Sequence, residues 1–518
     1  MIVYVHCAKC VGIDAVGVTV EVGIENGVGL HLVGLADVAV KESLLRTVTA
    51  LQSCGFRIPG KKIIINLAPA DMHKQGSGYD LPIAIGIIAA SEQAAVVNLD
   101  RYLLMGELGL DGSLRYVSGA LPIAEYASHS GFEGCILPKE AAAEVAGFID
   151  IPVYGAACID DVLRILSQDG PPLELIMSSD TTSCDTSEHD YMDFADIVGQ
   201  ESAKRAMEIA AAGGHNLIMI GPPGSGKSSL AKALSGILPP MTAREALTTS
   251  KIYSVAGKNG SRPGVMTRRP FRSPHVSASM SAMLGGGSGD NILPGEVSLA
   301  NSGVLFLDEY CEAPKSVLEA LRGPLEDRCV TISRLKAKVC YPASFMLVAA
   351  SNPCPCGYFG EGDRCTCTPG MRAGYLSKLS GPVMDRIDLQ TWLHPVPPSA
   401  LVNRKKAESS ASVAARVMRA REIQYRRLSG DGILTNSEMS GRQIEALCPL
   451  SDECRKLIEH LMDCFGLSAR AYTRIVKIAR TIADLASADP LNPLPISPSH
   501  ISEAVSYRFL DRRDILNL

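Results

Sequence analysis

The chain has 518 residues, of which 46% are apolar and 20% charged, with a formal net charge of −5. At roughly 150 residues per domain this length implies about three domains, each with enough apolar material for its own core. The acidic balance excludes a generally polybasic nucleic-acid binder, so any polyanion site must be a local patch.

The opening MIVYVHCAKC lacks a basic region followed by a long apolar core, which argues against a signal peptide. The longest uncharged apolar run, Leu81 to Ala90, is about half the ~20 residues a spanning helix needs. The expectation is a soluble, cytoplasmic protein with no membrane partner. Sixteen cysteines, mostly scattered and without an export signal, read as reduced thiols, apart from one cluster.

Residues 1–168 alternate β-rich runs with helical stretches. Val16–Val22, Lys62–Asn66 and Tyr102–Leu104 read as strands, and Val38–Ser53 as a helix. Residues 169–192 are rich in Ser, Thr, Asp and Pro and read as a flexible acidic linker. Residues 193–395 change to strand–loop–helix units with fully apolar strands, the mark of a buried parallel sheet. Residues 396–518 are mostly helical by pattern.

Gly221, Pro222, Pro223, Gly224, Ser225, Gly226, Lys227 and Ser228 fit G-x-x-x-x-G-K-S/T. They follow the apolar strand Asn216–Ile220 and open a helical run beginning at Ser228 and Ser229, the context a phosphate-binding loop requires. Glycines let backbone N–H groups wrap phosphates while the helix start adds positive field. Lys227 is then expected at the β/γ-phosphates, and the Ser228 hydroxyl on Mg²⁺. Gly221–Ser229 as a whole is the expected ATP-binding stretch. About 80 residues on, Val304–Leu307 ends in Asp308 and Glu309. Asp308 suits Mg²⁺ through its water shell, and Glu309 suits activation of the attacking water. A third apolar strand, Phe345–Ser351, ends at Asn352, whose amide can orient that water. An Asn-Pro turn explains the same residue structurally.

Four cysteines, Cys354, Cys356, Cys365 and Cys367, form C-x-C…C-x-C. They offer four thiolates to a structural Zn²⁺, although zinc sites usually space their pairs more widely; free thiols are the alternative. The stretch Val330–Tyr341 alternates like a β-hairpin arm carrying Arg334, Lys336 and Lys338, with both lysines on one face and able to meet phosphates. Arg268, Arg269 and Arg272 form a second basic group. With one Trp and few aromatics, backbone tracking fits better than base stacking.

Taken in order, these motifs resemble an AAA+ ATPase. The runs Arg269–His275, Gly285–Gly287, Pro294–Leu299, Ala320–Arg322, Pro324–Asp327 and Gly381–Asp388 are similar to its magnesium-chelatase-like branch. Val33–Ser43, Asn66–Asp71 and Tyr79–Ala84 extend the resemblance to the YifB/ComM family over nearly the whole chain. His275-Val276, Asn301-Ser302 and Gly323 depart from that family's usual His-His, His-Asn and Gln. The resemblance implies an α/β fold in three parts: a Lon-protease-like (ribosomal S5 domain 2-type) N-terminal domain, an AAA+ core and a C-terminal helical lid. It implies a ring-forming bacterial ATPase and, in the competence member, a hexameric helicase driving branch migration of DNA during natural transformation. Its alternative is a chelatase-type motor that remodels a partner protein. The resemblance further implies that Arg386 projects into a neighbouring subunit's site, that Arg470 is the lid arginine sensing nucleotide, and that the 330–341 hairpin faces a central pore. In the Lon-like part, Gly78 and Leu121 stand where a protease has its serine and lysine, and Ser77 is one position off. A non-proteolytic scaffold is expected there.

Overall fold

In Ile2–Val11 (β1) the side chains of Val3, Val5 and Cys7 are buried while Ile2 and Tyr4 stand exposed, the period-two signature of a strand with one covered face. The computed structural model describes residues 2–511 except 36, 75, 168, 171, 173–174, 177–191, 260–263, 288–291, 335–337, 380–382, 398, 400–401 and 403–406. After β1 come Asp14–Glu25 (β2), Gly29–Val33 (β3), Lys62–Ala68 (β4), Tyr102–Leu104 (β5), the small ladder Glu107–Leu108 (β6) with Leu114–Arg115 (β7), Gly134–Pro138 (β8) and Val153–Ala156 (β9). Seven of these form one mixed sheet in the order β3-β4-β2-β1-β5-β8-β9. The strand expected at Val16–Val22 is longer because both its edges are paired, to β1 and to β4. Tyr102–Leu104 and the helix Val38–Ser53 fall where expected. The apolar run near residue 85 is the helix Asp80–Ala90, buried from Asp80 through Ile88 against this sheet; its hydrophobicity serves a core. Among the described residues no helix is long and apolar enough to cross a membrane. At the start of the expected linker, Ile176 bridges Tyr154, and Leu175 and Ile176 pack on the same core. Residues 177–191 of that linker lie outside the described residues.

The second sheet is built from Leu217–Ile220 (β10), Phe271–Arg272 (β11), Val304–Leu307 (β14), Met346–Ser351 (β17) and Leu389–Trp392 (β18). Between them lie two short ladders, Gly285–Gly286 (β12) with Leu293–Pro294 (β13), and Cys329–Ser333 (β15) with Lys338–Pro342 (β16). The sheet runs β11-β14-β17-β10-β18 and every pairing is parallel. β10, β14 and β17 are buried along their whole length, as strands covered on both faces must be. This is the expected α/β class, and ligands of such sheets bind beyond the carboxyl ends of the strands.

The remaining chain is helical: Ser410–Leu428, Gly441–Leu447, Asp452–Phe465, Ala469–Ala486 and Pro498–Ser506. One buried acid ties Ala469–Ala486 to Ser410–Leu428 and to the turn at Asn436. Asp484, with no exposed surface, accepts from Arg427 at 2.6 Å, Arg480 at 2.9 Å and Asn436 Nδ2 at 2.9 Å. Removing it strands two arginines in a low-dielectric interior. Asp484→Ala is expected to lower stability by about 3–5 kcal/mol, read as the shift in chemical denaturation of the full chain. A loss below about 1 kcal/mol would mean that water already screens the network.

The two sheet units meet through the helix Ala243–Val255. Gly119 N–H donates to Ser254 O at 3.0 Å, Leu121 N–H to Ser254 Oγ at 3.3 Å, and Lys251 pairs with Glu125.

Candidate nucleotide site

Three loops converge at the carboxyl edge of the parallel sheet because their strands are in register. Ile220 lies beside Ser351, and Leu307 beside Ala349, so Gly221, Asp308 and Asn352 leave the sheet together. Gly224 and Gly226 have φ of 77° and 90°, the left-handed region that L side chains rarely adopt. That conformation turns the chain into the helix Lys227–Leu234, whose N-cap Gly226 brings no side chain and leaves the first amides open to a ligand.

Lys227 Nζ donates to Gly221 O at 2.6 Å, Pro222 O at 2.9 Å and Asn352 Oδ1 at 3.1 Å. Burial pushes its ammonium below the ordinary lysine range, opposed by the charges of Asp308 and Glu309. Ser228 Oγ donates to Asp308 Oδ2 at 2.9 Å. A hydroxyl and a carboxylate side by side are hard oxygen donors, which suit Mg²⁺. Glu309 is exposed and holds φ at 51°, a strained conformation for a glutamate, with its own N–H capped by Asp308 Oδ1 at 2.9 Å. The carboxylate is thereby held out at the strand's end rather than folded into the next helix. The three expected elements therefore do meet: phosphate loop, acid pair and strand-end amide.

Gln200 belongs to the same cluster. It bridges Ser225 O at 3.2 Å and His394 O at 2.6 Å, fixing the loop to the chain beyond β18. In the sequence it is a Gly-Gln turn ahead of a helix, which carries no chemical signature of such a role.

Arg386 and Arg470 lie elsewhere. With Asn216, Phe345 and Asp388 they line a polar cavity of about 320 Å³ at the amino ends of β10, β17 and β18, the edge opposite the phosphate loop. Arg386 Nη2 pairs with Glu326 Oε1 at 2.6 Å, and its carbonyl accepts from Asn216 Nδ2 at 2.8 Å. Arg470, largely exposed, pairs with Asp385. His215 links this turn to the helical part, meeting Asp388 Oδ2 and Thr481 Oγ1 at 2.9 Å each.

The hairpin forms as expected, with Ser333 opposite Lys338 and Thr331 opposite Cys340 on its exposed face. Arg334 and Lys338 are exposed; Lys336 lies outside the described residues. The buried face rests on the β1–β2 turn, where a Cβ on Gly12 would lie 3.1 Å from Val339. Two members of the second basic group are ion-paired. Arg269 is neutralised by Glu245 at 2.8 Å and Arg272 by Glu296 at 2.6 Å, both in half-buried bidentate pairs. Asn301, one of the departures noted above, is structural: its amide bonds Thr249 Oγ1 at 3.1 Å and its carbonyl accepts from Ser344 N–H at 3.0 Å.

In the N-terminal unit Ser77 Oγ donates to Glu107, while Lys9 and Lys74 are turned to the carbonyls of His73 and Pro69. Gly78 abuts Met105, where a Cβ would approach to 2.7 Å, and Leu121 is fully buried.

Comparison with known proteins agrees with this architecture. The family model for magnesium chelatase subunit ChlI matches residues 193–401. Models for further ChlI segments match 20–141 and, as its C-terminal part, 407–508. The protein YifB of Salmonella typhimurium is 44% identical over 98% of this chain and 97% of its own length. The competence protein ComM of Haemophilus influenzae is 42% identical over 98% and 97%. The chain belongs to the YifB/ComM family of magnesium-chelatase-like AAA+ ATPases. A more distant relative, magnesium-chelatase subunit ChlI of Euglena gracilis, is 24% identical over 32% of the chain and 54% of its own length. Membership supplies the ATPase class; the geometry above supplies candidates for each role.

Proposed function

We propose that this protein is an ATP-hydrolysing motor that works as a closed ring, a hexamer, and moves branched or single-stranded DNA. The observation that carries the ring is the separation of its charges. The phosphate loop with Lys227, Asp308, Glu309 and Asn352 occupies one edge of the sheet, while Arg386 and Arg470 occupy the other. Placing copies head to tail brings the arginine edge of one against the phosphate edge of the next. In this reading Ser228 and Asp308 hold Mg²⁺, which neutralises phosphate charge, and the Gly221–Ser229 stretch wraps the triphosphate. The first 168 residues serve as a non-proteolytic scaffold. The position matching the protease lysine is apolar, and its backbone is spent on Ser254 of the motor.

The DNA half of the proposal rests on the similarity to a competence protein and on the exposed cations of the hairpin. A ring multiplies Arg334, Lys336 and Lys338 into a basic collar on chains that are each acidic overall. The family models named for magnesium chelatase favour a second reading, a motor that remodels a partner protein. ATPase rate with and without branched DNA separates the two: the DNA motor is expected to be stimulated, the protein remodeller not. Lys336→Ala/Lys338→Ala is expected to weaken DNA of different sequences about equally and to flatten the salt dependence, by roughly one unit of slope for each phosphate no longer neutralised. Basal ATPase should be largely retained. Fluorescence anisotropy at several salt concentrations reads this out, and an unchanged slope removes the hairpin from the DNA site.

A further inference from the structure

Two residues beyond Asn352 the chain enters a tight loop that brings Cys354, Cys356, Cys365 and Cys367 together. All four Sγ atoms lie within 4.8 Å of one another, with Cys354–Cys365 at 3.9 Å, Cys356–Cys365 at 3.7 Å and Cys354–Cys356 at 3.3 Å. A tetrahedron with Zn–S bonds of ~2.3 Å has edges of about 3.8 Å. Disulfides need sulfurs at about 2.05 Å, so this spacing is that of a metal cage. Gly357 and Gly360, at φ of 85° and 92°, turn the chain between the two cysteine pairs, and Gly357 N–H donates to the Cys354 carbonyl at 2.9 Å. Cys354 is fully buried, and Arg364 and Arg372 stack over Tyr358 and Phe359 at 4.5 Å, closing the loop from outside.

The cage is joined to the nucleotide site through backbone. Gly357, at φ 85°, lies so close to the phosphate loop that a Cβ on it would sit 2.8 Å from Pro223 Cδ. Asn352, which receives Lys227 Nζ at 3.1 Å, is the residue from which the loop departs.

We propose that these four cysteines bind one structural Zn²⁺, and that the resulting knuckle braces Pro223 and Asn352, so that the metal sets the geometry of the phosphate loop. The bracing rests on the nucleotide-site reading; the metal content does not. Binding expels the thiol protons and holds a loop too short to have a core of its own.

The full-length chain, purified under reducing conditions without chelator, is expected to carry about one zinc per chain by elemental analysis. Cys356→Ser/Cys365→Ser should carry almost none. Should that variant fail to fold, Co²⁺ titration of the chelator-treated wild type decides the same point. Four thiolates give intense sulfur-to-cobalt charge transfer with tetrahedral d–d bands. Wild type that takes up neither zinc nor cobalt in this form overturns the site. Stripping the metal is expected to lower ATP turnover about ten-fold, the usual scale for losing support around a site. Gly357→Ala should lower it similarly, since the added carbon meets Pro223 and strains the turn at φ 85°. Metal loss that leaves both nucleotide affinity and turnover unchanged overturns the bracing while the zinc site stands. A wild type with full zinc but no ATPase at all would instead count against the nucleotide-site reading.

Discussion

Glu309→Gln is expected to bind ATP as the native chain does and to hydrolyse it about 10²- to 10⁴-fold more slowly, the range that loss of a general base costs. The carboxylate stands exposed at the end of β14, so an isosteric amide removes its basicity and little else. Lys227→Ala should behave differently. Lys227 is the ammonium at the mouth of the loop, held by two loop carbonyls and Asn352 until phosphates displace them. Without it the phosphate charge goes unpaired and binding itself is lost. Nucleotide binding measured by a fluorescent ATP analogue, beside steady-state phosphate release, distinguishes the two. Normal turnover by Glu309→Gln would overturn the assignment of the base. Tight ATP binding by Lys227→Ala would overturn that of the phosphate ligand.

Much of this site was legible in the sequence because its chemistry is local. A glycine-rich loop between an apolar strand and a helix, and acids at the end of a second apolar strand, are short-range patterns whose backbone consequences follow directly. The four cysteines were likewise adjacent in sequence, and the turn glycines between them allow the chain to fold back. What failed to show was anything fixed by tertiary partners. Arg269 and Arg272 read as a basic patch, yet Glu245 and Glu296, which neutralise them, come from distant segments. Strand β1 is hard to see because its outer face carries Ile2 and Tyr4, so the alternation with buried Val3 and Val5 is hidden in an unbroken apolar run. Gln200, Asn216 and Glu326 are ordinary polar residues until the fold places the first beside Ser225 and the other two beside Arg386. The similarity to the family named Arg386 and Arg470, but only the fold puts both at one edge of the sheet. There Arg470 pairs with Asp385, and no residue of its own phosphate loop shares its cavity.

That placement makes the strongest demand on assembly. β10 is four residues long, which at ~3.3 Å per residue separates the two edges by about 13 Å before any loop is counted. An arginine whose carbonyl is pinned by Asn216 at the amino end of that strand cannot serve the phosphates at the other end of the same chain. We therefore expect Arg386→Ala to bind ATP normally and to lose about 10³- to 10⁵-fold in turnover, the scale of an arginine supplied from a neighbour. A merely structural arginine would not share a second consequence. In a mixture of Arg386→Ala with Lys227→Ala, half of the mixed interfaces join an intact phosphate loop to an intact arginine. Two inactive preparations should then recover activity on mixing, with a maximum near equal proportions. Arg470→Ala, sharing the same edge, should be rescued in the same way by Lys227→Ala, and should not be rescued by Arg386→Ala, because no interface between those two carries both arginines. Native mass spectrometry shows whether the subunits exchange, and phosphate release at each ratio gives the answer. Rings that mix and stay inactive at every ratio would mean that Arg386 does not act across the interface.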